Sequence, residues 1–584
     1  MVRIHEIKLR PEESEELLLE RAEKKLRLPK GSLDSVSIAR KSLDSRKKPE
    51  IYKVYSLDLN TGLSDEALFA AARRSGAKLS EARDESYSVS APEGLAEAAS
   101  KGLVSRPVVA GFGPCGMFAG LALAACGLRP LILERGSEMK KRVEAVESFW
   151  GGGGLSTLTN VQFGEGGAGT FSDGKLTTGT KDPAKRFVLE SFVSAGASPE
   201  ILYLQHPHIG TDVLRGLVVN IRKRIQELGG ELRFETELVG VDISGGALKG
   251  VFVRTAEGEE RLDADALIIA LGHSARDTVR ALYAQGLMME QKQFSMGVRI
   301  EHKQRLIDIA QYGAPHEELG LPPAEYKLNT KCSDGRGVYT FCMCPGGRVV
   351  ASASQEGGVV TNGMSDSDRA GENANSALLC DVRTEDFPSE HPLAGIELQE
   401  RYERLAFELG ASSYRAPAQR VGDFLDPEQR VGDPLAQLRR TGELFAPDQK
   451  VGDSLKEDGM DAVLADAPEP SYRPGIVFAD IEKCLPDFVS ADLREALPKL
   501  GRRLQGFDDP SALLTAVESR SSAPFRIKRD AQRRCLASDG SVIEGLFPGG
   551  EGAGYAGGIM SAACDGVHLA EAAMDFLARR TNGL

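Results

Sequence analysis

The sequence has little of what disulfide-bonded or metal-binding proteins need. Its nine cysteines are odd in number and widely scattered, which does not fit a disulfide framework. Cys342 and Cys344 form a C-x-C pair, but no C-x-x-C pair is present to complete a zinc or iron–sulfur ligand set. We therefore expect reduced, mostly buried cysteines and no metal site, as is typical of a cytoplasmic protein.

Positive charge is also in deficit. Lys and Arg total 72 against 85 Asp and Glu, a formal net charge of −13, which disfavours nucleic acid or an anionic membrane as the main partner. The N-terminal segment lacks the basic and apolar pattern of a secretory signal. Residues 107–128 carry no charge and are long enough to span a bilayer. Prolines and glycines interrupt this run, so we interpret it as a buried strand–turn–helix and expect no membrane insertion.

Glycine, by contrast, is in excess. It makes up 64 of 584 residues, about 11% against an average of roughly 7%, and much of the excess lies in three clusters. The first cluster, 111–116, has the spacing G-x-G-x-x-G between an apolar strand and an apolar helix. In a dinucleotide site Gly111 allows the tight turn, Gly113 lets the backbone approach the pyrophosphate, and Gly116 lets helix and strand pack closely.

An acidic residue completes this first pattern. Glu134 ends a second apolar strand 18 residues after Gly116, close to the spacing of about 20 at which a carboxylate binds the ribose hydroxyls. The helix that begins near Pro114 then presents its N-terminus to the phosphates. Together these features predict a dinucleotide-binding unit.

The other two clusters lie far away in sequence, at 163–175 and 547–558. The third is followed by a helix with one apolar face, and a glycine-rich loop that leads into a helix N-terminus binds anions. Next to a flavin, that positive helix end favours negative charge at the N1–C2 carbonyl edge. We expect the three clusters to hold one extended cofactor in a domain that is discontinuous in sequence.

These motifs resemble the FAD segments of glutathione-reductase-type flavoproteins. Residues 111–116, 134–136 and Arg142 are similar to the first segment, 266–274 to the returning strand and 546–558 to the last segment. The resemblance implies FAD as the cofactor. The cofactor-binding residues it implies, together with those of the second cluster, are Gly111, Gly113, Pro114, Gly116, Glu134, Arg135, Arg142, Gly166, Gly167, Thr170, Ser172, Gly272, Glu551, Gly552, Gly557, Gly558 and Ile559.

A narrower resemblance covers nearly the whole chain. Segments 160–178, 207–212, 341–347 and 362–365 are similar to a poorly characterised bacterial family that carries labels such as FAD-dependent or NAD-utilising dehydrogenase. The sequence departs from the wider fold at Glu551, where many members have Asp. It also has no second strand–G-x-G-x-x-G–helix unit, so NAD(P)H has no dedicated site and would have to dock on the flavin face as a co-substrate.

The expected fold is α/β. We predict an N-terminal βαββαβ module of ferredoxin-like type at 1–100 and a discontinuous Rossmann-like FAD-binding domain at 104–290 and 525–584. A β-rich α+β substrate domain, 291–524, is inserted between the two parts. Within this domain, we interpret residues near 426–468 as a surface insertion that contains short Arg/Lys-Val-Gly-Asp repeats.

Three residues are candidates for catalysis. His208 is an acid/base candidate, or else a capping or packing residue. Lys175 is a cation that would stabilise a reduced flavin. Arg520 is placed, with Arg526, to clamp a substrate carboxylate, although a structural Glu–Arg ion pair explains it equally well. We interpret His273, just after the apolar strand, as filling a turn near the adenosine half.

The sequence therefore predicts an FAD-dependent oxidoreductase that transfers hydride or electrons between FAD and a small-molecule substrate. Two alternatives stay open. One is a flavin-containing RNA-modifying protein tethered by the basic hairpin around residues 46–48, and the other is a non-catalytic flavin carrier. Neither the substrate, the electron acceptor nor the oligomeric state follows from the sequence, because this architecture hosts many chemistries.

Overall fold

The computed structural model describes residues 1–83, 85–179, 181–426 and 467–582. The protein is of the mixed α/β class, with both parallel and antiparallel sheets, as predicted. Most of the expected insertion near 426–468 lies outside the described residues, including the repeats at 430–433 and 450–453.

The N-terminal module has the predicted element order. Its sheet runs β2-β3-β1-β4 with every pair antiparallel, and α1 buries Leu18, Ala22 and Leu26. The elements are β1 (Val2–Leu9), α1 (Leu18–Leu26), β2 (Ser35–Lys47), β3 (Glu50–Asn60), α2 (Asp65–Ser75) and β4 (Leu79–Glu81).

The basic hairpin β2–β3 packs against the rest of the chain. The backbone of Lys41 exchanges hydrogen bonds with Tyr203 and Gln205, each 2.9 Å long. The Lys48 ammonium donates to the carbonyl oxygen of Ala310. Two of the hairpin cations are therefore anchored within the protein.

The segment that follows supplies the strands of a parallel sheet and the helices that cover it. A separate three-stranded antiparallel sheet, β10-β9-β8, lies within it. The elements are α3 (Leu95–Ser100), β5 (Val108–Ala110), α4 (Pro114–Ala125), β6 (Leu131–Leu133), α5 (Met139–Trp150), α6 (Lys185–Ser194), α7 (Thr211–Glu227), β7 (Glu231–Arg233), β8 (Glu237–Ser244), β9 (Ala247–Thr255), β10 (Gly258–Asp263), β11 (Leu267–Ile269) and α8 (Arg276–Ala284).

The next segment is built on a seven-stranded sheet of order β14-β15-β18-β13-β21-β19-β20, in which only β19 and β20 are parallel. The antiparallel strands β12 and β22 connect it to the parallel-sheet region. The elements are β12 (Met289–Gln291), β13 (Phe294–Lys303), α9 (Gln304–Tyr312), β14 (Asn329–Lys331), β15 (Gly337–Cys344), β16 (Arg348–Ala351), β17 (Thr361–Met364), β18 (Asn373–Val382), α10 (Ala394–Leu409), β19 (Ala416–Arg420), α11 (Val421–Leu425), β20 (Ile476–Phe478), α12 (Asp487–Gly501), β21 (Leu513–Glu518) and β22 (Phe525–Ile527).

The C-terminal residues return to the parallel sheet as β23 (Leu546–Pro548) and α13 (Ile559–Asn582). That sheet has the order β23-β11-β5-β6-β7, with every pair parallel. The uncharged run 107–128 forms β5, the glycine turn and the buried helix α4. Among the described residues, no helix combines the length and apolar character needed to cross a bilayer.

Candidate cofactor and substrate site

One elongated cavity lies at the carboxyl ends of β5, β11 and β23, the edge where ligands bind in open α/β sheets. Residues of all three glycine-rich clusters line it, together with β15 and β17 of the inserted segment. The predicted residues that line it are Gly111, Gly113, Pro114, Glu134, Arg135, Gly167, Ser172, Lys175, Gly272, Arg520, Glu551, Gly557, Gly558 and Ile559.

The first glycine turn is shaped by close approaches of the backbone. Gly111 has φ +100°, and a Cβ there would lie 2.3 Å from the carbonyl oxygen of Ala270. A Cβ at Gly116 would lie 1.9 Å from the carbonyl oxygen of Gly111, so Gly116 packs helix against turn, as predicted, without lining the cavity. At Gly113 a Cβ would meet only Gly167, at 3.7 Å, which leaves its cavity side open.

Glu134 organises the adjacent end of the cavity. Its buried carboxylate accepts hydrogen bonds from the backbone amides of Phe112 (2.9 Å), Gly136 (3.0 Å) and Gly164 (2.9 Å). These amides belong to the glycine turn, to the loop after β6 and to the second cluster. One carboxylate therefore ties three loops together. Its Oε1 accepts from Gly136 and Gly164 and its Oε2 only from Phe112, so Oε2 keeps a lone pair for a ligand hydroxyl.

Arg135, the next residue, is held by acidic side chains. Its guanidinium bonds to Glu237 at 2.6 Å and Asp277 at 2.7 Å and lies over the ring of Phe163, 4.3 Å from its centroid. These contacts fix Arg135 as a wall of the cavity beside Glu134.

Arg142 does not line the cavity, which corrects the expected direct contact with the cofactor. Its fully buried guanidinium donates to five carbonyl oxygens, and burial lowers its pKa to about 10, so it stays charged at neutral pH. It shapes the loop of the second cluster because that loop folds around it. The acceptors are the carbonyl oxygens of Asn160, Val161, Gly164, Glu165 and Gly167.

Three further predicted cofactor residues also lie outside the cavity lining. Thr170 donates its hydroxyl to the carbonyl oxygen of Glu165, and a Cβ at Gly166 would lie 2.2 Å from that hydroxyl. A Cβ at Gly552 would lie 2.4 Å from the carbonyl oxygen of Gly272. All three residues shape loops whose neighbours reach the cavity.

Lys175 belongs to a buried cluster of four charges. Its ammonium lies 2.8 Å from the Asp173 carboxylate and 3.3 Å from that of Glu325. Arg369 bonds the same two carboxylates, each at 2.7 Å. Burial lowers the pKa of Lys175, but Asp173 and Glu325 outweigh it, so the net pKa is raised. Lys175 therefore faces the cavity as a protonated donor with one N–H to spare.

The Asp173 carboxylate gives this cluster a testable pH dependence. Burial raises its pKa, but Lys175 and Arg369 outweigh that and hold it well below its ordinary range. The stability that such a group contributes is complete above its ordinary pKa of about 4 and is lost as the pH falls towards the depressed value. We expect Asp173→Asn to unfold more easily than wild type at pH 6, and the gap to shrink by pH 3. Urea unfolding across this range measures it, and a gap independent of pH would contradict the assignment.

His208 lies outside the cavity lining. Its Nε2 is 3.3 Å from the carbonyl oxygen of Ser367, and its backbone bridges that of Lys175. Burial, followed by the charge of Arg369, lowers its pKa, so the ring is neutral at neutral pH. The geometry favours the packing interpretation of His208 over the acid/base one.

Arg520 lines the cavity but its guanidinium is occupied. It bonds both oxygens of Glu403, at 3.0 and 2.8 Å, and donates to the hydroxyls of Ser274 and Ser354. The structure thus favours an ion pair over a substrate clamp. The partner is Glu403, which is distant in sequence. Glu518, which is close in sequence, is bonded by Arg299 instead.

His273, which the sequence analysis interpreted as filling a turn, lines the cavity. Its Nδ1 lies 3.2 Å from Glu551 Oε1, while its buried Nε2 has no hydrogen-bond partner among the described residues. Because Nδ1 faces the Glu551 carboxylate, Nε2 is the ring atom that remains for a ligand. No local sequence pattern indicates this role, because the pairing of His273 with Glu551 exists only in the folded chain.

The cysteines show no redox pairing. All nine are free, and Cys344 donates its thiol to the carbonyl oxygen of Cys342. Cys342 lines the cavity with φ +43° and is exposed there, while desolvation by the surrounding protein raises the pKa of its thiol. Its thiol is therefore protonated at neutral pH, which disfavours a thiolate relay.

The cavity fits a dinucleotide in three respects. Helix α4 starts at the cavity without a side-chain cap, so its first N–H groups can bind phosphate. Gly557 and Gly558 line open space, with no atom within 4 Å of an added Cβ. The Nε2 of His273, which has no partner in the part of the chain that the structure describes, can bond a hydroxyl group of the ligand. These features suit the phosphates, ring and sugar hydroxyls of FAD.

Comparisons with known proteins agree on the cofactor. Residues 293–440 and 429–521 match the family described as FAD-dependent protein, C-terminal domain-like, and residues 1–60 match a domain of unknown function. The protein is therefore FAD-dependent.

The chain is 41% identical over 573 residues, 98% of either chain, to an uncharacterised protein of Clostridium beijerinckii. The chain belongs to the same family as this clostridial protein.

Solved structures offer only a distant likeness. The flavin-dependent brominase Bmp2, as a triple mutant, is 12% identical with a TM-score of 0.36, over 82% of this chain and 81% of that one. The 3-ketosteroid-delta4-(5alpha)-dehydrogenase from Rhodococcus jostii RHA1 is 12% identical with a TM-score of 0.33, and the match covers 81% of this chain and 96% of that one. Such scores do not establish a shared fold.

Proposed function

We propose that this protein is an FAD-dependent oxidoreductase whose cofactor lies along the cavity. The observation that carries the proposal is the convergence of three glycine-rich clusters, from 111–116, 163–175 and 547–558, on one cavity at the carboxyl edge of a parallel sheet. When bound there, FAD supplies an isoalloxazine ring that accepts and donates electron pairs.

The residues that would hold FAD follow the cavity. The N-terminus of α4, with Gly113, binds the diphosphate, and Glu134 accepts from a ribose hydroxyl. His273, oriented by Glu551, bonds a hydroxyl of the ribityl chain. The N-terminus of α13, after Gly558, favours negative charge on the ring.

The remaining lining residues form the substrate end. Lys175 offers its spare N–H there, fixed by its carboxylate partners. Phe341 supplies an apolar wall, and Asn362 has its amide oriented because its oxygen accepts from Arg299 and from the amide of Gly363. This end therefore suits a small molecule with a hydrogen-bond acceptor beside an apolar part.

The absorption spectrum of the purified protein, recorded anaerobically before and after adding NADH or NADPH, tests the proposal. We expect an oxidised flavin band as purified or after incubation with FAD. Bleaching by one nucleotide would identify it as the reductant, whereas indifference to both points to an organic donor or a protein. A protein that takes up no FAD would overturn the proposal.

A further inference from the structure

A second positively charged feature lies next in sequence to Ser521, a residue of the cavity lining. It is formed where β12 and β22 connect the two main regions, and it comprises Lys292, Ser522 and Arg526. The Lys292 ammonium lies 3.4 Å from Ser522 Oγ and 3.3 Å from the carbonyl oxygen of Ala523. Within the described part of the chain, no carboxylate forms an ion pair with Lys292.

Arg526 is only weakly neutralised. Its guanidinium lies 3.4 Å from the Glu290 carboxylate and 3.5 Å from the carbonyl oxygen of Gly554, both long contacts. The other oxygen of Glu290 bonds Lys528 at 2.9 Å. Burial, together with the charge of Arg526, lowers the pKa of Lys292. The strand pairing sets Glu290 opposite Arg526, and the Lys292 amide bonds to the carbonyl oxygen of Pro524. Lys292 is therefore diagonal to Arg526 on the same face of this ladder, and an anion between the two cations would relieve their repulsion.

The position of this group connects it to the cavity. Ser521, the neighbour of Ser522, lines the cavity, and so does Glu551, whose charge acts on Lys292. Glu551 is itself paired with His273. Arg520, the other arginine of this stretch, is enclosed by Glu403 and offers no free donor. The positive charge available to a ligand beside Ser521 therefore belongs to Lys292 and Arg526.

Building on the proposed function, we propose that Lys292, Ser522 and Arg526 form a subsite for the carboxylate or phosphate group of a ligand that enters the cavity. A guanidinium binds such groups through two parallel N–H donors, while an ammonium adds a point charge and a hydroxyl adds a third donor. The ligand class is thus an anionic small molecule, either the substrate itself or the diphosphate of a pyridine nucleotide.

Calorimetric titration of the FAD-loaded protein with inorganic phosphate and with acetate, at low ionic strength, tests the subsite. We expect Lys292→Gln and Arg526→Gln each to weaken binding about tenfold, because each removes a charge-assisted hydrogen bond. Lys528→Gln is the matched control, since Lys528 lies on the same face but is paired with Glu290. We expect it to change affinity less than about twofold.

A titration with NADH distinguishes the two sources of the anion. If NADH displaces phosphate, and the same two substitutions weaken its binding, the subsite serves a nucleotide diphosphate. If phosphate or acetate binds and NADH does not compete, it serves the substrate. Absence of any anion binding up to about 10 mM, or an equal loss in Lys528→Gln, would overturn the subsite. Flavin content, read separately by absorbance, reports on the proposed function whatever the anions do.

Discussion

Replacing Glu403 by alanine is expected to lower the free energy of unfolding by about 3–5 kcal/mol. Its buried carboxylate is bonded by Arg276 at 2.8 Å through both oxygens and by Arg520 at 3.0 and 2.8 Å. Burial raises its pKa, but the two arginines outweigh that and hold the pKa well below its ordinary range. Without Glu403, Arg520 loses its ion-pair partner and Arg276 keeps, among the described residues, only the Glu400 carboxylate, at 4.0 Å. The side chains of Arg520 and Arg276 are 3% and 1% exposed. Urea unfolding measures the loss.

Two variants identify the cause of this loss. Glu190→Ala removes a surface ion pair with Arg186 on α6 and is expected to cost less than about 1 kcal/mol. The triple variant Arg276→Met, Glu403→Leu, Arg520→Met replaces the charges by apolar groups and is expected to recover most of the stability. A Glu403→Ala protein as stable as wild type would contradict the assignment.

The second large effect is expected on FAD itself: Gly113→Val should weaken its binding about 100-fold, or about 2.7 kcal/mol. Gly113 has φ −76°, which valine adopts without strain, so the fold should lose at most about 1 kcal/mol for the changed helix cap. The added side chain instead fills the space where the diphosphate approaches α4. FAD titration followed by the fluorescence of Trp150 measures the affinity.

Trp150 suits this measurement because it is the only tryptophan of the chain. Its ring lies 5.9 Å from that of Phe171, edge to face, and the next residue, Ser172, lines the cavity. Gly62→Val is the control, since Gly62 also has open space around it but lies in the N-terminal module. If both variants bind FAD as tightly as wild type, the cofactor does not lie in this cavity.

Local sequence predicted the parts of the site that are built from neighbours in the chain. The strand, the glycine turn and the helix at 108–125 follow one another directly, so steric limits on φ and the packing of an apolar helix suffice to predict them. The same holds for Glu134 at the end of the next strand. These elements lie where the pattern placed them.

The predictions that changed concern side chains whose partners are distant. Arg142 was expected at the cofactor, but five carbonyl groups of a later loop surround it. For Arg520 the sequence left a substrate clamp and a structural ion pair equally open, and the structure pairs it with Glu403, 117 residues away in sequence. No local pattern indicates which carboxylate will meet a given guanidinium, because that depends on how helices and strands from separate segments pack.

The sequence by itself determined the α/β class and the three glycine-rich clusters, because these follow from short-range steric and polarity patterns. It indicated FAD through the resemblance of those clusters to known FAD segments. Only the tertiary structure decided that these clusters share one cavity and that His273 pairs with Glu551. It also decided that Lys292 and Arg526, 234 positions apart in sequence, lie on neighbouring segments. The physical reason is that β12 pairs with β22 across the inserted segment, and such long-range pairing depends on the packing of the whole chain.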